Sequence, residues 1–328
     1  MLDPALVLGV VLAVVSLPIW IVATAFISRY VPGKWRILRL TWFLFLYLVV
    51  EAVGLVSMFL TWVFSGLGWK IRTRFFTDLH YWLLGWMLRR VVKSAELTFK
   101  LQVIPEGGRP STSEGERSRS ILVFSRHAGP GDSLLLMNGL VNGFQRDPRI
   151  VLKEFLQWDP AVDVILNRLP TSFVPVGRKG GEALIDSIRA LAMDMDRDDA
   201  FVIFPEGANY TAPRRARAIQ KLRDIGRPDL AERAEDLKQT LPPRSLGVMT
   251  ALAAAPGSDV FFIGHAGLEA MISAGDIWRA MPMDTSVTVK FWHVRAEDVP
   301  PPEEQETWLY DTWGEIDRWI SSQLDKTG

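Results

Sequence analysis

From Ala5 to Ile27 the chain runs without a single charge, ALVLGVVLAVVSLPIWIVATAFI, and about 20 apolar residues suffice for a helix to cross the hydrocarbon core of a bilayer. This run is read as a membrane helix. A cleaved secretory leader is disfavoured, because Asp3 stands where a basic region belongs and no small-residue cleavage site precedes a polar start. A second apolar run, Leu40 to Phe64, is interrupted by Glu51. Cations flank it on both sides: Arg29, Lys34, Arg36 and Arg39 before it, and Lys70, Arg72, Arg74, Arg89, Arg90 and Lys93 after it. Both groups favour the cytoplasmic side, which a spanning second run cannot satisfy. The pattern predicts a run that dips in and returns, or a monotopic helical pair, with Glu51 turned toward protein or the interface. Phe75 to Val92, FFTDLHYWLLGWMLRRVV, suits either a helix at headgroup level or a core helix of the following domain.

Beyond Lys100 the texture changes. Ile104 to Ser120, IPEGGRPSTSEGERSRS, has no apolar period and is expected to be a surface loop. Short apolar runs then alternate with amphipathic segments. Strands are predicted at Thr98–Val103, Ser120–Ser125, Arg149–Leu152, Thr171–Val176, Ala200–Phe204, Asp259–Gly264 and Ser286–His293. Helices are predicted at Ser133–Phe144, Glu182–Met195, Ala212–Ile225, Leu246–Ala255 and Glu303–Leu324. Such alternation implies an α/β fold, an open and largely parallel sheet flanked by helices. The expected organisation is a membrane-embedded helical region over residues 1–94 and an α/β domain over residues 95–328.

Composition narrows the chemistry. The 328 residues carry 37 Lys plus Arg against 37 Asp plus Glu, so nothing in the overall charge points to nucleic acid. There is no cysteine, which excludes disulfides, thiolate metal sites and thiol nucleophiles. No Gly-x-Ser-x-Gly elbow supplies a serine nucleophile.

Three polar signals sit where predicted strands end. The first is His127 and Asp132 in HAGPGD. On one regular helix, residues five apart diverge by about 140°, but a Gly-Pro-Gly turn can fold the imidazole back onto the carboxylate while Asp132 opens a helix. A carboxylate holding one ring nitrogen leaves the other free to act as a general base toward an alcohol. The second is Glu206 with Asn209 in FPEGANYT, and the third is Arg178 in FVPVGR, whose guanidinium suits a phosphate. His265, in a second His-Ala-Gly, has no aspartate at the matching spacing and is read as structural. His80 and His293 show no carboxylate partner in sequence. The charged stretch around Arg214, Arg215 and Arg217 is either a solvated helix face or a site for anionic headgroups or coenzyme A phosphates.

These residues resemble the glycerolipid acyltransferase family that includes 1-acylglycerol-3-phosphate acyltransferase. HAGPGD is similar to the family's His-x4-Asp block. KEFLQWDPAVDVILNRLPTSFVPVGR resembles the second block, with Lys153 and Arg178 in the matching places. FPEGANYT resembles the third, with Glu206 and Gly207 matched and Asn209 where that block has an arginine. LPPRSLG, at Leu241 to Gly247, resembles the fourth. The likeness covers about residues 95–324, and the C-terminal stretch is similar to the eukaryotic-type long-chain branch. Arg126 departs from the usual Asn before the histidine.

The resemblance implies transfer of a fatty acyl group from acyl-CoA or acyl carrier protein to the sn-2 hydroxyl of a lysophospholipid. The leading acceptor is 1-acylglycerol-3-phosphate, giving phosphatidic acid; another lysophospholipid or a glycolipid is the alternative, and a membrane-bound lipid esterase a more distant one. His127 is then the base and Asp132 its orienting partner. Arg178, with Lys153, holds the acceptor phosphate, Glu206 with Gly207 and Asn209 positions the acceptor, and amides near Gly129 and Gly131 serve the oxyanion. Neither metal nor cofactor is implied. The expected partners are membrane lipids, the lysolipid and the acyl thioester, with the catalytic domain on the cytoplasmic side.

Overall fold

The structure is a computed structural model describing residues 4–106, 119–129, 131–153, 157–174, 181–269, 274–282 and 286–327. Three long helices come first: α1 (Pro4–Ser28), α2 (Arg36–Phe64) and α3 (Arg74–Phe99). They are followed by β1 (Gln102–Glu106), β2 (Ile121–Ser125), α4 (Asp132–Asn138), β3 (Asp147–Lys153), α5 (Pro160–Leu166), β4 (Thr171–Val174), α6 (Gly181–Ala192) and β5 (Asp199–Ile203). Then come α7 (Ala212–Asp224), α8 (Pro228–Glu235), α9 (Ser245–Ala254), β6 (Asp259–Ala266), α10 (Ala274–Ala280), β7 (Ser286–Val294) and α11 (Gln305–Thr327).

The strands form one sheet in the order β1-β7-β6-β2-β5-β3-β4. β6, β2, β5, β3 and β4 run parallel, while β7 is antiparallel to β6 and parallel to β1. This is the α/β architecture that the alternating pattern implies. The strand expected at Thr98–Val103 is displaced, because α3 continues to Phe99 and stops at Lys100, which adopts a left-handed conformation (φ 55°). β1 therefore begins at Gln102, and Ile104 to Glu106, read from sequence as loop, belong to it. The helix expected at Ser133–Phe144 is α4 followed by a π-helical turn, Gly139–Gly143.

Side chains on a strand alternate between faces, and β2 shows what this does to a fully covered strand. Leu122 and Phe124 enter a core with α6, α9 and α11, including Ile188, Val248 and Trp313. Ile121 and Val123 enter the opposite core with Leu140, Ile150 and Val202. Helices cover both faces, so all five residues of β2 are buried, and its sequence reads as an unbroken apolar run.

α2 is long and apolar enough to cross a membrane, the one such helix among the described residues. One of its faces is nonetheless committed to the protein. Val50, Leu55 and Met58 pack with Tyr81, Leu83 and Met87 of α3 and with Ala161 and Ile165 of α5. Glu51 is buried and accepts the Ala161 N–H at 3.2 Å, at the first turn of α5. That amide is one of the donors a helix start leaves without an intrahelical partner. Asp159 caps the same turn through the Val162 N–H, and the Tyr47 hydroxyl donates to Asp159. The opposite face of α2 exposes Trp42, Val53, Val56, Leu60 and Val63. α3 is a packed helix whose His80 is buried against Arg168 at 3.0 Å, while Phe75, Trp82 and Leu97 remain exposed.

One connection, the segment between α8 and α9, is held from the C-terminal helix. The buried Asp317 of α11 accepts the N–H groups of Lys238, Gln239 and Thr240 and the Thr240 hydroxyl, all within 2.7–2.9 Å. The Trp313 indole donates to the Leu241 carbonyl at 3.1 Å, and the Tyr310 hydroxyl to that of Pro243 at 3.3 Å. Asp317→Ala strands those donors in a dry site, so a loss of about 3 kcal/mol or more is expected. Thermal unfolding of the detergent-solubilised chain checks this, and an unchanged midpoint would show that the segment does not depend on Asp317.

Candidate active site

β6, β2 and β5 are neighbours and parallel, so their C-terminal ends deliver residues to one edge of the sheet, the edge where ligands bind in open α/β sheets. β2 leads to His127, β5 to Glu206, and β6 carries His265 near its end.

After β2 the chain turns sharply into α4, with Gly131 at the N-cap and Asp132 as the first helical residue. The turn brings His127 Nδ1 to 3.0 Å from Asp132 Oδ2 and 3.2 Å from Oδ1. Asp132 Oδ2 also accepts the N–H groups of Ala128 (2.7 Å) and Gly129 (3.0 Å), and Oδ1 accepts the Ser133 hydroxyl at 3.1 Å. The Gly129 amide expected at an oxyanion thus serves the carboxylate instead, because a buried carboxylate needs several donors to remain charged. Burial raises the Asp132 carboxyl, but the hydrogen bond and charge of His127, the nearby His265 and the Gly129 amide outweigh it and hold the group below its usual range. With the carboxylate on Nδ1, the tautomer is fixed and Nε2 is left as the acceptor. The His127 side chain is 18% exposed and its ring leans on Phe204, centroids 4.8 Å apart. Such a ring can take a proton from a bound hydroxyl.

Glu206 faces inward. It is 2% exposed and accepts the His127 N–H through Oε1 at 3.0 Å and the Leu241 N–H through Oε2 at 2.8 Å. The role expected for it, contact with an acceptor, gives way to a tie between the catalytic corner and the segment held by α11. The turn after it needs Gly207, which has φ +67°; a Cβ there would stand 2.7 Å from the Arg244 guanidinium carbon. Arg244 is exposed, and its own N–H donates to the Pro205 carbonyl at 2.9 Å. This cation beside the Glu206–Gly207 turn was not singled out in the sequence, where only the Pro-Pro-Arg of the adjoining block marks it. The Asn209 carbonyl accepts from Arg214 at 3.1 Å, and Arg215 is spent on the carbonyls of Ala234, Glu235 and Leu237 at the end of α8.

Arg126 is buried (1% exposed) and supplies no cation to the surface of the site. Its guanidinium donates to the His265 carbonyl and to Glu269, each at 2.5 Å, and to the Gln239 carbonyl at 2.9 Å. It locks β2, the end of β6 and the Asp317-held segment together. Lys153 closes β3 opposite Val174, and Arg178 lies outside the described residues. His293, without an evident partner in sequence, pairs with Asp259 at 2.9 Å.

An apolar cavity of about 280 Å³ lies against Asp132 and His265, walled by Leu135, Leu136, Val289 and Phe291 among others. Residues 101–256 match the model of the acyltransferase family. Over that span the chain is similar to an acyltransferase domain. A search of the curated proteins finds no match to the chain. The matched span begins just before β1 and ends after α9, so it contains His127, Asp132, Glu206 and Arg244, while His265 and α11 follow it in the same fold.

Burial raises Glu206 from 4.5 to about 7, against the opposing pull of Arg126 and of the two amides it accepts. Folding therefore favours its protonated form. The stability this contributes is complete below pH 4.5 and is lost as pH rises through about 7. Glu206→Gln cannot ionise, so wild type should lose about 3 kcal/mol relative to the variant between pH 4.5 and 7. Unfolding curves of both proteins across that range test it, and a pH-independent difference would refute a carboxyl that titrates near neutrality.

Proposed function

We propose that this acyltransferase moves a fatty acyl group from an acyl thioester, acyl-CoA or acyl carrier protein, onto the free hydroxyl of a lysophospholipid at a membrane face. The observation that carries the reading is the His127–Asp132 pair, with Asp132 on Nδ1 of a ring whose side chain is 18% exposed. Nε2 takes the hydroxyl proton as the acceptor oxygen bonds to the thioester carbonyl carbon. The tetrahedral intermediate then collapses, the carbon–sulfur bond breaks, and the imidazolium returns its proton to the leaving thiolate. Asp132 steadies the charged ring throughout, and no covalent acyl-enzyme is needed. The apolar cavity beside Asp132 supports an acyl substrate, and the apolar exposed face of α2 supports a membrane location.

For the acceptor we favour 1-acylglycerol-3-phosphate, with Arg178 and Lys153 on its phosphate and the catalytic domain on the cytoplasmic side. Arg244, over Gly207, is a further cation within the same turn. Asn209, in place of an arginine, is the observation that favours the second reading, a different lysophospholipid or a glycolipid.

Membranes containing the protein, supplied with labelled acyl-CoA and a panel of lysolipids, should form diacyl product only when acceptor is present. His127→Ala should lower the rate by about 10³-fold and Asp132→Asn by about 10² to 10⁴-fold. Wild-type rates in His127→Ala would end the mechanism, and fatty acid released without acceptor would identify an esterase.

A further inference from the structure

His265 has no part in the mechanism above, yet its surroundings are unusual for a structural residue. It lies on β6, next to β2, and is 5% exposed. Neither ring nitrogen has a hydrogen-bond partner among the described residues. Buried polar atoms are nearly always paired, so an imidazole placed this way calls for an account beyond packing. The ring lines the same cavity as Asp132, and its Nε2 stands 3.7 Å from Asp132 Oδ2. That oxygen already holds His127 Nδ1 and the two amides of Ala128 and Gly129.

We propose that His265 is a positioning residue of the acyl-transfer centre: its Nε2–H is the next donor to Asp132, and by drawing on that carboxylate it sets the basicity of His127. A donor added to Asp132 weakens the carboxylate's hold on the imidazolium of His127. The device requires His265 to stay neutral, since a cation there would compete with His127 for the carboxylate. The charged groups around it arrange this. Burial, then the Arg126 guanidinium of the β2 end, lower His265 from 6.5 to about 4, against the opposing charges of Asp132 on α4 and Glu269 after β6. Glu96 of α3 lines the far wall of the cavity, and β7 offers only Val287, Val289 and Phe291 there.

The proposal rests on the reading of His127 as the base, but its test needs no turnover. The chain has four histidines, so histidine labelled with ¹³C at Cε1 gives four signals in the full-length protein in detergent micelles, and His127→Gln assigns the one that matters. In His265→Phe the His127 titration should move up by about 0.5 unit or more, and in His265→Gln, whose amide N–H replaces Nε2–H, it should return toward wild type. A purely structural role would leave Phe and Gln variants with the same His127 titration, and that result, or no shift in either, overturns the proposal. His80 and His293 report on the fold; should they move in His265→Phe, the smaller His265→Leu is read by the same criterion. A shifted titration in a protein without acyl-transfer activity would sink the proposed function and leave this coupling standing.

Discussion

A carboxylate that cannot reach water must be given donors, and Glu206 obtains its two from segments far apart in sequence. One is the amide of His127 itself, the other the amide of Leu241. This single requirement explains much of the surrounding architecture. The His127 backbone is fixed from β5 as well as from its own strand. Leu241 in turn hangs from Trp313, and its neighbours from Asp317, so His127 is braced by the last helix of the chain. Arg126 closes the same circuit from the other side, joining Gln239, His265 and Glu269. The site is a connected set of buried polar groups drawn from β2, β5, β6 and α11.

Much of this was legible in the sequence. The central strands declare themselves as short apolar runs because helices cover both faces of the sheet there, and the Gly-Pro-Gly turn shows that His127 and Asp132 can meet. The candidate site was legible at the same point, since the ends of β2 and β5 lead to His127 and Glu206. Direction was harder to read. A glutamate emerging from a strand looks available to substrate, and nothing local tells that Glu206 turns inward to meet Leu241, 35 residues on. Long-range partners of this kind are chosen by packing, not by spacing. The same holds for Arg215, whose guanidinium completes the carbonyl end of α8, and for His265, which lacks an aspartate in sequence and shares one in space. The early start predicted for β1 has a simpler origin: the buried face of α3 continues through Thr98 and Phe99, apolar in the manner of a strand.

The N-terminal helices show how one segment can satisfy two environments. α2 carries an apolar composition on every side, so periodicity alone does not assign its faces. Glu51 does, since a carboxylate in such a helix must find donors within the protein. It finds one at the start of α5, and the stripe of Val50, Leu55 and Met58 follows it inward. The apolar residues left over, Trp42, Val53, Val56, Leu60 and Val63, are exposed on the outer side of the helix.

That arrangement fixes a distance. The Glu51 contact, the Tyr47–Asp159 bond beside it and the bond from Arg168 to the Met58 carbonyl at 2.8 Å hold α2 at three points along its length. The helix is thereby prevented from sliding or rolling against the sheet. Whatever surface the outer face of α2 rests on, the edge carrying His127 stands at a height set by the protein's own bonds, as a tool is set by its gauge. A substrate embedded in that surface would have to rise to meet the base, and its reach would be measured in the chemistry of its headgroup.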